Sequence, residues 1–388
     1  MTTPELRPLD GAFHSAARDR LRARAQGAGL DGLLLCHAPN IAYATGLFLS
    51  ANERPMAVWL PVEAEPVLFM PELERENAAI PAIPDLRCYA EFPGETEPVL
   101  WMLDEIGSCA VGIDRLDARL LDPARARATR IDLVDHAMAV RAIKTPEELA
   151  LTREAARFAD LFLFRLLDRA GDIISQGGTE QDLMADAMDH ARSALARTHG
   201  HAFSGTPLGI TASVHSGPRA ALPHGQVLNR VPQRSETLVA GIGGHLGGYH
   251  AESGATLIVG ESTAEQRQIM AAMKACNDAG AAALAARETG TRINEAALDE
   301  LRKAGLTDAI RHRIGHGMGL EGHEAPWLAP GDETRVAPGM VFSNEPGVYR
   351  PGRDGYRTIN TMILDRDGVE IPSRFQSQIP IDARIVAL

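Results

Sequence analysis

The sequence predicts an α+β protein that folds as two domains, a smaller α/β domain followed by a larger domain of helices and antiparallel strands. The chain has 388 residues, of which 45% are hydrophobic. It is therefore too long for one small domain and can bury large cores. Strands alternate with helical stretches in the first part, whereas the second part twice places helices before antiparallel strands. We predict domains at residues 1–139 and 140–388.

The first domain is predicted from apolar runs that are bounded by polar turns. A helix over about residues 15–28 comes before them. The runs expected to form strands are GLLLC (32–36), MAVWL (56–60), PVLFM (66–70) and AVGID (110–114). The chain has four cysteines, and they are scattered without the spacing of a metal site. Cys36 ends an apolar run, so we expect a buried strand residue rather than a nucleophile.

Capping residues indicate the helices of the second domain. Thr145 and Glu148 form a capping box with a proline between them at the first helical position. Thr179 is expected to cap the next helix, and Ser262 with Glu265 to open a long alanine-rich helix. Further predicted elements are a helix over 293–305 and strands over 235–243 and 249–260.

Composition excludes several classes of partner. The formal net charge is −12, aromatic residues make up 5%, and there is no basic run, so nucleic acid is not expected to bind. The N-terminus lacks the basic flank and apolar core of a signal peptide. No stretch approaches the roughly 20 apolar residues of a membrane span. We therefore expect a soluble, cytoplasmic protein that binds neither nucleic acid nor membranes.

Four segments of the second half carry the residues that we expect to do chemistry. In chain order they are GIGGHLGGYHAE (241–252), RIGHGMGLEGHEAP (313–326), VFSNEPGVY (341–349) and GYRTINTMIL (355–364). Together they resemble the creatinase, aminopeptidase P and prolidase superfamily. The resemblance implies a creatinase-like N-terminal α/β domain, a pseudo-symmetric pita-bread domain at the C-terminus, and a homodimer.

The metal-ligand positions of that superfamily are only partly retained. Its metallopeptidases bind two metal ions through two Asp, one His and two Glu. Matched by position, this chain offers Glu252, His316 and Glu345, but has Gly241 and Ile359 at two acidic positions. Neither a glycine hydrogen nor an isoleucine methyl has a lone pair for a metal. We therefore expect no cofactor, or at most one Zn, Mn or Fe ion on the three retained residues.

Within the superfamily the chain is most similar to creatinase, which works without a metal ion. His224, in SGPRAALPHG, stands where creatinase has its general acid and base, so we predict that role for it. Arg54 lies near the place from which creatinase's N-terminal domain sends an arginine to the substrate carboxylate in the partner subunit. The match of Arg54 rests on that one residue and its spacing.

Two inward-facing carboxylates predict a positively charged group between them. Glu252 and Glu345 would repel each other, and a cation would relieve this repulsion. We therefore predict a cationic or zwitterionic substrate. Arg357 is the alternative, since it could act as an internal counter-ion.

Site roles follow from these matches. His323, seven positions after His316, is expected to hold the substrate carbonyl oxygen, and Tyr249 to wall the pocket. The predicted catalytic residues are His224, Glu252, His323 and Glu345, and the predicted substrate-binding residues are Arg54, Tyr249, His316 and Arg357.

Three functions remain open from the sequence. The first is a metal-independent, creatinase-like hydrolase of a C–N bond in a small substrate. The second is an Xaa-Pro dipeptidase or aminopeptidase that uses at most one metal ion, favoured by HEAP (323–326) and NEPGVY (344–349). The third is a binding protein that has kept the fold without catalysis. Bound metal would distinguish the second function, and a His224→Ala variant would separate the first from the third.

Overall fold

The computed structural model describes residues 6–50 and 52–388, which form two compact units. One unit is Leu9–Arg141. The other is Ala142–Leu388, together with the described residues before Leu9. A separate β-sheet lies in each unit.

The first unit contains a six-stranded mixed sheet. Its elements are α1 (Gly11–Gly27), β1 (Gly32–Leu35), α2 (Ala38–Thr45), β2 (Ala57–Pro61), β3 (Val67–Pro71), α3 (Arg75–Ala78), β4 (Asp85–Tyr89), α4 (Pro98–Ile106), β5 (Ala110–Ile113), α5 (Leu121–Arg125), β6 (Arg130–Leu133) and α6 (His136–Arg141). The strand order is β4-β3-β2-β1-β5-β6, and β1 pairs in parallel with β5 and antiparallel with β2. Every residue of β1 is buried, so this strand lies at the centre of the core.

The predicted strands of the first unit are confirmed as β1, β2, β3 and β5. Two further strands, β4 and β6, have the sequences DLRCY and RIDL and are only partly buried, which explains why their apolar pattern is weak. The first helix begins earlier than predicted. Asp10 caps it, because its carboxylate accepts a hydrogen bond from the backbone N–H of Phe13.

The second unit combines two long helix pairs with a nine-stranded sheet. Its elements are α7 (Pro146–Ser175), α8 (Glu180–His199), β7 (Leu208–Ser216), β8 (Thr237–Leu246), β9 (Tyr249–Val259), α9 (Ala264–Ala285), α10 (Gly290–Lys303), β10 (Gly315–Gly317), β11 (Glu324–Leu328), β12 (Val341–Asn344), β13 (Gly347–Arg350), β14 (Asp354–Arg357), β15 (Ile359–Leu364), β16 (Val369–Glu370), α11 (Arg374–Gln378) and β17 (Ile385–Val386).

Capping in the second unit agrees with the sequence for two helices and differs for a third. Thr145 and Thr179 cap α7 and α8, as predicted, each in a reciprocal capping box. The predicted box of Ser262 and Glu265 is wrong. The cap of α9 is Thr263, whose hydroxyl accepts from the N–H of Gln266, while the Ser262 hydroxyl accepts from Arg267.

The main sheet brings distant parts of the chain side by side. Its order is β11-β10-β12-β15-β9-β8-β7, with all of these neighbours antiparallel, while β13 and β14 form a separate hairpin. Helices α7 and α8 pack on β7, β8 and β9, and α9 and α10 contact the strands that follow them. The four strands β10, β12, β15 and β9 are adjacent at the centre of the sheet. Among the described residues, no helix is long and apolar enough to cross a membrane.

Candidate functional site

The three retained ligand positions meet on the four central strands. Glu252 lies on β9, His316 lies on β10 opposite Ser343 of β12, and Glu345 directly follows β12. The hydroxyl of Thr361 on β15 makes two hydrogen bonds to the backbone of Glu252. It accepts one from the N–H and donates the other to the carbonyl oxygen, both at 2.8 Å. The backbone of Glu252 is thus fixed before its side chain meets any ligand.

His316 lies between the two carboxylates. Its Nε2 atom is 3.5 Å from Oε1 of Glu345 and 3.7 Å from Oε2 of Glu252. Nδ1 lies 3.0 Å from the carbonyl oxygen of Gly317, and a proton on Nδ1 would donate to that oxygen. The ring is fully buried, and Nε2 has no partner within ordinary hydrogen-bond geometry. A lone pair therefore points between two carboxylates, an arrangement that a metal ion or a proton would complete.

His323 is the fourth group of this cluster. Its Nε2 atom lies 3.8 Å from Oε1 of Glu252, and its ring centroid is 3.9 Å from that of His316. One donor atom each from Glu252, His316 and His323 all fall within 4.8 Å of one another. The side chain of His323 is half exposed, so unlike His316 it can meet a substrate directly.

The pKa values of Glu252, His316 and Glu345 are shifted both by burial and by the charges of one another. Burial raises the pKa of Glu252, and the charge of Glu345 raises it further against the opposing effect of His316. Burial would also raise the pKa of Glu345, but its contact with His316 lowers it overall. Burial would lower the pKa of His316, yet the contact with Glu345 and the charge of Glu252 raise it. His316 therefore holds a proton more readily, and Glu345 less readily, than the same groups would in water.

The two substituted positions lie together and offer no lone pair. Gly241 and Ile359 both pair with Gly254 of β9, one from each side. A Cβ atom built on Gly241 would be 2.6 Å from Nη2 of Arg357 and 3.4 Å from Cδ1 of Ile359. The space of a second metal position is therefore filled by a guanidinium and a hydrocarbon. The residues present suit one metal ion and do not suit a pair.

Arg357 is buried and connects this space to the loop of His224. Its backbone N–H donates to the Thr256 hydroxyl at 2.8 Å, and its Nη1 atom donates to the carbonyl oxygen of Pro223 at 2.8 Å. His224 follows Pro223 directly. The positive charge of Arg357 also lowers the pKa of Glu345 and of Glu252, as smaller contributions than those of His316. The internal counter-ion considered from the sequence therefore has a structural basis. A cationic substrate is therefore not needed to offset the two carboxylates, because His316 and Arg357 already do so.

A cavity of about 330 Å³ opens beside this cluster. Four predicted site residues line it, and so do four residues for which the sequence predicted no role. The lining residues are Pro223, His224, Arg311, His312, Arg313, His323, Glu345 and Arg357. The available sequence signal was the basic triplet Arg-His-Arg that ends three residues before His316.

His312 is held by two contacts. Its Nδ1 atom lies 2.7 Å from the carbonyl oxygen of Arg313, and its Nε2 atom lies 2.9 Å from the hydroxyl of Tyr349. Burial lowers the pKa of His312. Burial also raises the pKa of Tyr349 to about 12, so the phenol keeps its proton and can donate to Nε2.

Two predicted residues are not among those that line this cavity. Tyr249 is buried, and its hydroxyl donates to Oε1 of Glu148 on α7 at 2.7 Å. Since Tyr249 is three residues from Glu252 on one strand, the two side chains point to opposite faces of the sheet. Arg54 belongs to the first unit, where its guanidinium pairs with Glu53 and Glu91. Its role in a partner's site stays a prediction.

A buried ion pair supports the segment that carries His323. The next residue, Glu324, accepts a hydrogen bond from Nζ of Lys144 at 2.7 Å, and both side chains are at most 2% exposed. A Cβ atom on Gly319 would lie 2.4 Å from this carboxylate, so the turn between β10 and β11 needs glycine there. The turn is therefore packed tightly against the ion pair at Gly319, four residues before His323.

Two known protein families match this chain. Residues 150–366 match the metallopeptidase family M24, and residues 18–141 match the Creatinase/Prolidase N-terminal domain. The chain belongs to the metallopeptidase family M24. Membership confirms the predicted superfamily, its fold class and a hydrolase that acts on a C–N bond.

Named relatives of this M24 chain are peptidases. The probable dipeptidase PepE of Mycobacterium tuberculosis is 30% identical over 373 residues, which cover 93% of this chain and 95% of the relative. The Xaa-Pro dipeptidase of Lactobacillus delbrueckii subsp. lactis is 28% identical over 364 residues, which cover 90% of this chain and 94% of the relative. The similarity thus runs through both units.

Solved structures share the same fold. Dipeptidase PepE from Mycobacterium ulcerans has a TM-score of 0.84 at 25% identity, covering 98% of this M24 chain and 100% of that chain. The N-terminal domain of the FACT complex subunit SPT16 from Cicer arietinum has a TM-score of 0.76 at 12% identity, covering 97% and 100%. At that identity the second likeness concerns the fold alone.

Proposed function

We propose that this protein is a dipeptidase that hydrolyses the peptide bond of a small peptide with one divalent metal ion on Glu252, His316 and Glu345. The observation that carries the proposal is the buried Nε2 atom of His316, which has no hydrogen-bond partner and lies within 3.7 Å of both carboxylates. An imidazole and two carboxylates form a donor set suited to Zn, Mn or Fe. The relatives named as dipeptidases support a peptide substrate.

A bound ion would lower the pKa of a water molecule and polarise the substrate carbonyl. The chain's own groups supply the remaining steps of this proposal. His224, on the cavity wall, accepts the proton that the attacking water releases and donates it to the leaving nitrogen. His323, half exposed beside Glu252, donates a hydrogen bond to the carbonyl oxygen. Arg357 holds the His224 loop through its bond to the carbonyl oxygen of Pro223.

The first test is metal content together with dipeptide hydrolysis. We expect elemental analysis to find about one equivalent of Zn, Mn or Fe per chain, since two carboxylates neutralise one divalent ion. Chelation should abolish hydrolysis of Xaa-Pro and other dipeptides. His316→Ala should lose the metal, whereas His201→Ala, an exposed histidine outside the cavity, should keep both metal and activity. Two equivalents of metal, or activity that survives complete chelation, would contradict the proposal.

A metal-free hydrolase with creatinase-like chemistry is the second candidate. It is favoured by the guanidinium of Arg357 beside Gly241 and by the raised pKa of His316 between two carboxylates. In that mechanism a protonated His316 takes the place of the metal charge, and His224 acts as acid and base. Activity would then resist chelation and be lost in His224→Ala. A protein that binds peptides without hydrolysing them would show neither metal-dependent nor His224-dependent turnover.

A further inference from the structure

The mouth of the cavity carries two arginines with no carboxylate partner. Arg311 and Arg313 flank His312 in the segment before β10, and all three line the cavity. Among the described residues, neither guanidinium forms an ion pair, although Arg313 also lines a second cavity that contains Asp332 and Glu333. Arginines on the preceding helix α10 do have such partners, because Arg292 and Arg302 pair with acidic residues three positions away. The positive charge of Arg311 and Arg313 is therefore not offset by an ion pair within the described residues, although the chain has 51 acidic residues against 39 Lys and Arg.

Arg313 is held in place without neutralising its charge. Its Nε atom donates to the carbonyl oxygen of Gly315 at 3.0 Å, and its guanidinium carbon lies 4.7 Å from the ring centroid of Trp327. A cation over an aromatic face is fixed in orientation but keeps its positive charge. The terminal nitrogens of Arg313 remain able to bind a planar anion through two hydrogen bonds.

The acidic groups deeper in the site do not balance these two arginines. Glu252 and Glu345 are already opposed by the guanidinium of Arg357 and, under the proposed function, by a divalent ion. Arg311, which is exposed, and Arg313 therefore add positive charge to the wall of this cavity, which is lined by one carboxylate, that of Glu345. Such a charge attracts anionic ligands and repels cationic ones.

We propose that the cavity selects dipeptides whose C-terminal residue is Asp or Glu, with Arg311 and Arg313 binding the α-carboxylate and the side-chain carboxylate. This inference rests on the proposed dipeptidase function. Two guanidinium groups at one entrance match two carboxylates on a single residue, each through charge-assisted hydrogen bonds. The N-terminal residue of a dipeptide carries an ammonium group, which the arginines would repel, so the acidic residue is the C-terminal one. A cavity of about 330 Å³ has the size of a small-ligand site.

The test compares dipeptides that have the same shape and differ in charge. We expect kcat/KM for Leu-Glu and Leu-Asp to exceed that for Leu-Gln and Leu-Asn by roughly tenfold or more, as charge-assisted hydrogen bonds allow. Arg313→Gln and Arg311→Gln should each reduce this ratio, and the double variant should bring it close to one. Arg197→Gln, which removes an exposed arginine on α8, should leave the ratio unchanged.

Hydrolysis and binding are measured separately, so that this inference and the proposed function can fail independently. If acidic and neutral dipeptides are hydrolysed equally well, the selectivity is wrong and the dipeptidase stands. If no dipeptide is hydrolysed, calorimetric titration with Leu-Glu and Leu-Gln decides. Tighter binding of Leu-Glu than of Leu-Gln, if it is lost in the double arginine variant, would support the selectivity and contradict the proposed dipeptidase function. Equal binding would overturn the selectivity as well, and so would a Leu-Glu preference that the double variant retains.

Discussion

Single residues determine which donor atoms this site offers to a metal ion. The imidazole of His316 lies between Glu252 and Glu345 with its Nε2 atom unpartnered, while Gly241 and Ile359 leave the adjacent space without a donor. The end of Arg357 occupies that space. A guanidinium side chain can move more easily than backbone can. Whether a metal ion could bind at the second position therefore depends on the charges of the surrounding residues as much as on the space available.

Restoring both lost carboxylates should raise the metal content. In Gly241→Asp/Ile359→Glu, the two added negative charges should displace the end of Arg357 and raise bound metal from at most one ion per chain towards two. Gly241→Asp alone should pair with Arg357 and leave the metal content unchanged. Elemental analysis checks this result, with Gly241→Asn/Ile359→Gln as the uncharged control of the same shape. A folded double-acid variant with unchanged metal content would show that the space is closed for another reason.

Between elements, charged contacts tie the long helices together. Glu154 on α7 accepts hydrogen bonds from Arg157 on the same helix and from Nε2 of His199 at the end of α8, both at 2.7 Å. The side chain of Glu154 is 21% exposed, so solvent screens this contact in part. The helix pair α7 and α8 carries β7, β8 and β9 on one side. Its packing therefore affects the strand that holds Glu252.

The contribution of Glu154 to stability should depend on pH. Burial opposes ionisation of Glu154, but its bonds to Arg157 and His199 lower its pKa below the ordinary 4.5. A lowered pKa in the folded state stabilises the protein above the unfolded value, and this gain is lost as the pH falls through the folded pKa. Glu154→Gln should therefore lower the free energy of unfolding by about 1 kcal/mol at neutral pH, a figure that already allows for solvent screening. The loss should become progressively smaller below pH 4.5.

Thermal unfolding across this pH range measures the effect. The melting temperatures of the wild type and Glu154→Gln should differ at neutral pH and converge in acid. Glu261→Gln, at an exposed glutamate between β9 and α9, is the control and should follow the wild type. A difference that grows in acid would mean that the ionised carboxylate does not stabilise the helix pair.

For the whole molecule, contacts between distant parts of the chain hold the site together. Lys144 and Glu324 are 180 residues apart, yet their side chains form a buried ion pair at 2.7 Å. Glu252, His316 and Glu345 themselves come from β9, from β10 and from the end of β12, which are far apart in the chain. The turn that carries His323 is therefore anchored to the start of the second unit.

Breaking this pair should destabilise the second unit. Lys144→Met leaves the carboxylate of Glu324 buried without its cation and should cost about 3–5 kcal/mol of unfolding free energy. The double variant Lys144→Met/Glu324→Gln should cost less than the sum of the two single changes. Urea unfolding of all four proteins gives the coupling energy, and kcat/KM reports any displacement of His323. Additive costs would show that the two side chains act independently.

Sequence patterns predicted much of the fold because the relevant physics is local. The capping box at Thr145 and the cap residue Thr179 identified two helix starts, and apolar runs identified the central strands. The predicted cap of α9 was wrong by one residue, Ser262 in place of Thr263. Serine and threonine are both good N-cap residues, and only the backbone conformation distinguishes them here. The parity of Tyr249 and Glu252 on one strand was available as a signal, and it would have excluded Tyr249 from the cavity.

By itself the sequence determined the superfamily and the loss of two acidic ligands, because residue identity and order suffice for both. The tertiary structure decided what fills the resulting space and what surrounds the cavity. Arg357 reaches Gly241 from another strand, and Arg311 with Arg313 lines a wall shared with His224, far away in the chain. Such contacts depend on strand register and side-chain direction. These are set by packing across the whole sheet, and no local pattern encodes them.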